Sequence, residues 1–225
     1  MIDVQALALT ARLALVTTVV LLVIAVPLAA WLTFSRRRWT VIIEALVALP
    51  LVLPPTVLGY YLIVALGRRS PVGRWWESVT GEPLVFTFTG LVVASVLFGL
   101  PFAVQPMMAS FAGVDRRLIE ASFVLGRTWP GTVMRVVLPL SGAGLATATV
   151  LTFAHTVGEF GVVLMVGGNI AGETRTASIS VYDAVQSFDD ATAAAMSLVL
   201  LAFSAIVLIA TYALRRAPLS VWPRS

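Results

Sequence analysis

A chain of 225 residues that is 59% hydrophobic and 12% charged, with a mean hydropathy of +0.97, carries more apolar surface than a water-soluble interior of its size can hide. Soluble domains are about 45–50% apolar and about 25% charged, so the composition excludes a soluble domain and predicts an integral membrane protein. The net charge of +4 comes from 15 basic residues, all of them arginine, set in short runs between apolar stretches, which is membrane-topology patterning and gives no reason to expect a nucleic-acid partner.

Five apolar stretches approach the roughly 20 residues that cross a bilayer as a helix. Helices are predicted throughout, because no barrel-like alternation is present. The first runs over Leu13–Phe34. Pro27-Leu-Ala-Ala30 resembles a leader cleavage site, but Asp3 and a single Arg12 make a poor basic start. The run also ends at Arg36-Arg37-Arg38, so a retained span is expected. The second, Val41–Leu66, contains Pro50, Pro54 and Pro55. Each removes a backbone donor and should kink or interrupt the helix. Such a break either lines a cavity or is a simple packing kink. Glu44, near its start, reads as a structural charge beside Arg36–Arg38.

The next loop holds Arg68, Arg69 and Arg74 with Glu77 and Glu82. These arginines could attract an anion, meet acidic residues on another protein, or stay solvated. Trp75-Trp76 mark the membrane interface. The third span is Phe86–Phe111. After it, residues 115–139 show a helical pattern too short to cross. Asp115 can cap a helix in which Leu118, Ala121 and Leu125 share a face, and Gly126 suits the left-handed position that ends it. Thr128 can cap a second short helix with Pro130 in its first turn, and Leu138-Pro139 then opens the fourth span. An apolar face with Arg127 and Arg135 beside it is either a docking surface for another protein or an amphipathic stretch on the membrane.

The fourth span, Leu140–Val166, is rich in Gly, Ala, Ser and Thr, which serve close packing or face a pore. Glu159 near its end should face a partner or water. A gate or subunit-contact role is expected for it. His155 either pairs with it one turn away or is a packing histidine. Gly167–Asp190 is too polar to cross, and its Ile179, Val181, Tyr182 and Val185 are expected to face the membrane or a partner from a short outer helix. The fifth span is Ala193–Leu214, with no soluble domain expected after Arg216.

Ten arginines (Arg36–Arg38, Arg116, Arg117, Arg127, Arg135, Arg215, Arg216, Arg224) fall on one side and four (Arg68, Arg69, Arg74, Arg175) on the other. The positive-inside rule makes the first side cytoplasmic, with the N-terminus outside and the C-terminus inside. One transmembrane domain over 1–225 is expected. Without lysine there is no P-loop; without cysteine and with one histidine there is no disulfide, thiol nucleophile or Cys/His metal site. ATP energy would have to come through another subunit, and no cofactor, metal or catalytic residue is expected in this chain.

The string Glu120-Ala121-Ser122, then Gly126, Val136 and Leu138-Pro139, resembles the EAA loop of ABC importer permeases, with Ser122 for the second alanine and Val136 for isoleucine. That resemblance implies an all-α type I importer permease fold in the cytoplasmic membrane and an ATPase contact through Glu120, Ala121, Ser122 and Gly126, leading into Leu138-Pro139. It also implies two ATP-binding subunits, an extracytoplasmic binding protein and a homodimer of this chain embedded in lipid. Leu49-Pro50-Leu51-Val52-Leu53-Pro54-Pro55, Gly158-Glu159-Phe160-Gly161 and Asn169–Thr176 resemble molybdate permeases more than the related sulfate and thiosulfate permeases. They make Pro54, Pro55, Gly158, Glu159 and Gly161 gate candidates, and Arg68, Arg69 and Arg175 outer-face candidates. The expected function is molybdate import by alternating access, with tungstate and sulfate or thiosulfate as alternatives. A gradient-driven transporter would call for an inverted repeat or intramembrane charge pairs. No repeat is evident, and Glu159 with His155 is the one pair offered.

Overall fold

The computed structural model describes residues 2–216, with side chains described for 2–209. Arg224 and the side chains of Arg215 and Arg216, counted above on the arginine-rich side, lie outside the described residues. The helices in chain order are α1 (Val4–Phe34), α2 (Thr40–Ala48), α3 (Pro55–Leu66), α4 (Pro71–Thr80), α5 (Phe88–Ala112), α6 (Arg116–Val124), α7 (Trp129–Thr132), α8 (Leu138–Leu140), α9 (Gly142–Gly158), α10 (Gly161–Gly167), α11 (Ala177–Gln186) and α12 (Asp190–Arg216). No β-strand occurs among the described residues.

Helix α1 starts at Asp3, whose carboxylate accepts the Ala6 N–H at 3.0 Å. It is apolar all round, so residue size rather than polarity selects its inward face. Ala6, Thr10, Ala14, Thr17, Leu21, Ala25 and Ala29 are buried at helical spacing, while Leu15, Val19 and Val23 point outward. Small residues allow close backbone approach where lipid supplies no hydrophobic drive between helices. Helix α5, capped by Thr87 on the Gly90 N–H at 3.2 Å, packs between α1 and α9. The main core joins Leu21, Ala25 and Ala29 to Val104, Met107 and Phe111, and a second cluster joins Leu62 and Leu66 to Phe98, Val162 and Val166.

The first, third and fifth predicted spans are continuous helices, but the second and fourth are not. The chain bends by 113° between Thr40–Leu51 and Pro55–Leu66. A residue before proline is driven to extended backbone, and Pro54 before Pro55 has ψ 135°. The helix then restarts with Pro55 in its first turn, where a missing N–H costs nothing. In the fourth span, Leu138-Pro139 belongs to the preceding arm instead of opening the crossing. A π-helical turn, Val133–Val137, leads into α8, and the chain bends by 81° into α9. The span breaks again at Glu159-Phe160, between Gly158 and Gly161, residues of low helix propensity. The short helix expected within Gly167–Asp190 appears as α11, with Tyr182 and Val185 exposed but Ile179 buried inside the protein instead of facing outward; it is followed by Asp189, whose carboxyl is held below its ordinary range by hydrogen bonds from Thr192. Helix α12 is left almost uncovered along its apolar length.

Close packing of α9 on α5 is testable at Gly144, where an added Cβ would collide with the Ser110 side chain and crowd the Pro106 carbonyl at 3.1 Å. Gly144→Val should lower the thermal midpoint in detergent, overpacking costing about 1–3 kcal/mol and each kcal/mol about 2–4 °C. Ala143→Val, at an exposed neighbour, should leave the midpoint in place. Equal midpoints for the two variants would refute the packing argument.

Candidate functional site

The two sequence motifs that straddle the helix breaks meet in space. The start of α3 lies on α10 so closely that a Cβ at Gly161 would stand 2.7 Å from the Pro55 Cβ. One turn along, a Cβ at Gly59 would stand 2.7 Å from that of Met165. Only glycine fits either place, so this seam is a backbone-to-side-chain contact with no slack. Of the gate candidates, Pro55 and Gly161 touch directly, and Pro54 is exposed at the turn before them. Gly158 faces open space.

Glu159 is buried at the break between α9 and α10. Its Oε1 accepts the Val162 N–H at 3.0 Å, in the i to i+3 manner of a helix cap. Its carbonyl accepts the Ser178 hydroxyl at 2.5 Å, tying the break to α11. Oε2 lies 3.7 Å from His155 Nε2. The His155 ring stacks on Phe102 at 3.9 Å and tilts against Phe98 at 5.1 Å. Glu159 thus fastens α9, α10 and α11 at one point, with His155 connecting it to α5.

At the opposite end of the bundle, α6, α7 and the π turn form an arm. Asp115 caps α6 through the Arg117 N–H at 2.9 Å, and Gly126 ends it at φ +77°. Ile119 and Ser122 face inward, and the Ser122 and Thr132 hydroxyls are hydrogen-bonded at 3.0 Å. Ser122 therefore braces the two short helices from inside and does not lie on the outer face. Glu120, Ala121 and Gly126 are exposed, beside an uncovered apolar strip of Leu118, Phe123, Val124 and Leu125. Phe123 stacks on Trp129 at 6.1 Å and Phe34 meets Trp129 edge-on at 5.2 Å, so the arm sits against the end of α1 near Arg36–Arg38. Leu138 packs on the core, and Pro139 is exposed at the bend.

The outer-face candidates separate. Arg68 pairs with Glu77 at 3.3 Å, and Arg69 is exposed. Arg175 is engaged inside the protein: its Nε donates to Asn169 Oδ1 at 2.8 Å and lies 3.5 Å from Asp183 Oδ2. The Asn169 amide donates to both Asp183 oxygens at 2.8 and 2.9 Å. Thr174 donates to the Gly167 carbonyl at 2.7 Å, and Thr10 of α1 accepts the Ala177 N–H at 2.8 Å. Asn169–Thr176 is thus a fastener between α10, α11 and α1. Sequence reasoning missed Asn169, Asp183 and Thr10 as its parts. The Gly167-Gly168-Asn169 run, with left-handed Gly168 and Asn169, carried a turn signal, whereas Asp183 and Thr10 carried none. Among the described residues no group of acidic or histidine side chains could hold a metal.

Apolar crossing helices, two of them broken and one joined to an arm packed against the end of the bundle, make up a membrane permease. The chain belongs to the family of binding-protein-dependent transport system inner membrane components, whose profile matches residues 8–218. It is accordingly a multi-pass inner-membrane protein. It is 47% identical over 214 residues, 95% of each chain, to the molybdenum transport system permease protein ModB of Azotobacter vinelandii. It is 38% identical over 208 residues to the protein of that name from Mycobacterium tuberculosis, covering 91% of this chain and 76% of the other. The fold matches a chain of a bacterial ABC transporter that imports alginate, with a TM-score of 0.75 at 18% identity over 96% of this chain and 79% of that one. It equally matches a bacterial alginate ABC transporter in complex with a periplasmic protein bound to an alginate pentasaccharide, with a TM-score of 0.75 at 15% identity over 95% and 78% of the two chains.

Two substitutions at Glu159 separate its cap from its charge. Glu159→Ala leaves the buried Val162 N–H unpaired and should destabilise the fold by about 1–3 kcal/mol. Glu159→Gln keeps an acceptor there and should melt close to the parent. Thermal unfolding in detergent checks both, and a Gln variant as unstable as Ala would show that the carboxylate charge, not the cap, holds the break.

Proposed function

We propose that this chain is the membrane-spanning subunit of an ATP-driven importer of molybdate. The 47% identity along 95% of both chains to a molybdenum permease carries the substrate assignment. Molybdenum in neutral water is the tetrahedral molybdate dianion, which needs a protein path through hydrocarbon. On this reading two copies of the chain enclose the path, and the uncovered face of α12 is available for helix contacts. The arginine-rich end is cytoplasmic, so the N-terminus lies outside. Two ATPase subunits, which supply the P-loop this lysine-free chain lacks, dock there. An extracytoplasmic binding protein delivers the ion at the end carrying α4 and α11.

Glu120, Ala121 and Gly126, with the apolar strip of Leu118, Phe123, Val124 and Leu125, form the docking surface, and Ser122 keeps α6 and α7 moving as one body. ATP-driven closure of the ATPases displaces the arm. The bend at Leu138-Pro139 passes the displacement into α9, whose far end carries Glu159 and the seam of Pro55 with Gly161. Opening and closing that seam gives alternating access, and Pro54, Gly158 and Glu159 are the parts of the chain that bend. Glu159 acts as a fastener of the gate and not as an ion ligand, because a carboxylate repels a dianion. Arg68 and Arg69 shape the field at the outer mouth, while Arg175, held by Asp183, is structural.

The test is molybdate uptake in cells lacking this gene, with and without its return, competed by tungstate and by sulfate. Restored uptake that tungstate blocks and modest sulfate does not is the expected result. Blockage by sulfate would move the chain to the sulfate branch, and no dependence on the gene would remove the substrate assignment. In the same cells Glu120→Arg should abolish uptake while leaving the amount of protein in the membrane unchanged. Full uptake with Glu120→Arg would remove the docking role.

A further inference from the structure

Beyond the transport path, the arm encloses a groove that the docking reading does not use. One wall is Val26, Pro27 and Ala30 of α1; the other is Val133, Met134 and Leu138 of the arm. The groove holds about 630 Å³ and is almost wholly apolar. It shares Ala30 and Trp129 with a smaller recess of about 320 Å³, lined also by Trp31, Phe34, Ser35 and Arg37, in which polar and apolar surface are equal. The two adjoin at Ala30 and Trp129, the groove apolar along the span and the recess carrying Arg37 at its end.

Three features fix what suits it. The recess lies at the level of Trp31, Trp39 and Trp129, with Trp31 and Trp39 rings 5.1 Å apart, and tryptophans gather where headgroups meet the hydrocarbon. Arg37, between exposed Arg36 and Arg38, lines the recess, and among the described residues no carboxylate pairs with any of the three. The groove is walled by α1 side chains at membrane depth, Val23 among them fully outward, so it opens onto lipid. The Arg37 guanidinium lies over the Trp39 ring at 5.9 Å and has no carboxylate partner among the described residues, and an apolar trough that ends in such a guanidinium at the headgroup level matches one acyl chain joined to a phosphate.

We propose that this groove is a binding site for an anionic phospholipid of the leaflet on the arginine-rich side, with one acyl chain between α1 and the arm and its phosphate at Ser35 and Arg37. A chain lodged there touches α1 on one side and Trp129, Val133 and Leu138 on the other, so it bridges the bundle to the segment that carries α6. Occupancy would stiffen that joint, and the anionic lipid content of the membrane would set how firmly the arm follows the bundle.

The experiment uses the full chain in lipid nanodiscs carrying either brominated phosphatidylglycerol or brominated phosphatidylcholine at equal mole fraction. Bromine quenches nearby tryptophan, and subtracting the signal of a Trp129→Phe variant isolates Trp129. The expected result is a preference of about fivefold for quenching of Trp129 by the anionic lipid, the size of one arginine contact at a membrane surface. Arg37→Gln should erase the preference, and Val26→Phe, at a half-buried position on the groove wall, should fill the trough and protect Trp129 from both lipids while leaving the arginines in place. Equal quenching by the two lipids in the parent chain would overturn the proposal in favour of ordinary annular lipid. Protection of Trp129 from both lipids in the parent would overturn it in favour of a second copy of the chain covering the groove. A preference that survives Arg37→Gln would also overturn it.

Discussion

In hydrocarbon every backbone N–H and C=O released by a broken helix has to find a partner inside the protein, and this chain breaks two of its crossing helices. At the first break the released donors are largely absent from the start, since Pro54 and Pro55 have none and Pro54 O accepts from Val57 and Leu58 at 3.0 and 3.2 Å. At the second the Glu159 carboxylate takes the Val162 N–H and the Ser178 hydroxyl takes the Glu159 carbonyl. The breaks thus carry some of their own partners, at Pro54 O, the Val162 N–H and the Glu159 carbonyl. The seam between α3 and α10 depends on this, because two half-helices can lie this close only if neither leaves a polar group stranded at the contact.

Helix α9 connects the seam to the arm. One of its ends follows the 81° bend after Leu138-Pro139, and the other is Gly158, next to Glu159. Its body is held on α5 at Gly144 and by the His155 stack on Phe102. A rigid rod with a bend at one end and a break at the other transmits displacement along its axis with little loss inside it. The same geometry explains why the Ser122 hydroxyl is better spent inside the arm than on its surface. On the proposed function, a docking surface that could shear internally would absorb a push from the ATPase before α9 received it.

Much of this was legible in the sequence, and the reasons are specific. Composition gave the membrane class, and the spacing from Asp115 to Gly126 gave α6 and its left-handed end. The double proline announced a break. What was missed follows from how membrane helices are made. Glu159-Phe160 sits inside a run apolar enough to read as one span, and only the flanking Gly158 and Gly161 hinted at the interruption. Helix faces could not be assigned from polarity because α1 is apolar all round; the inward face was written in residue size, as Ala and Thr at helical spacing. Arg175 looked like an outward cation because its partner Asp183 stands apart in sequence, on a helix whose packing no local pattern reveals.

The distribution of charge bears on how such a chain handles a dianion. Among the described residues the buried polar groups along the crossing helices are Thr, Ser and Glu159, with no buried arginine. A cation fixed at membrane depth would bind molybdate firmly and release it slowly, whereas conduction needs sites weak enough to leave. On the proposed function, hydroxyls and backbone dipoles along the path would offer the ion partial charge without a deep well. The arginines stand instead at the two ends, where they act on the field of the mouths and on neighbouring partners and lipids. On the proposed function, affinity would belong to the protein that delivers the ion, and this chain would keep a path that is alternately open and shut.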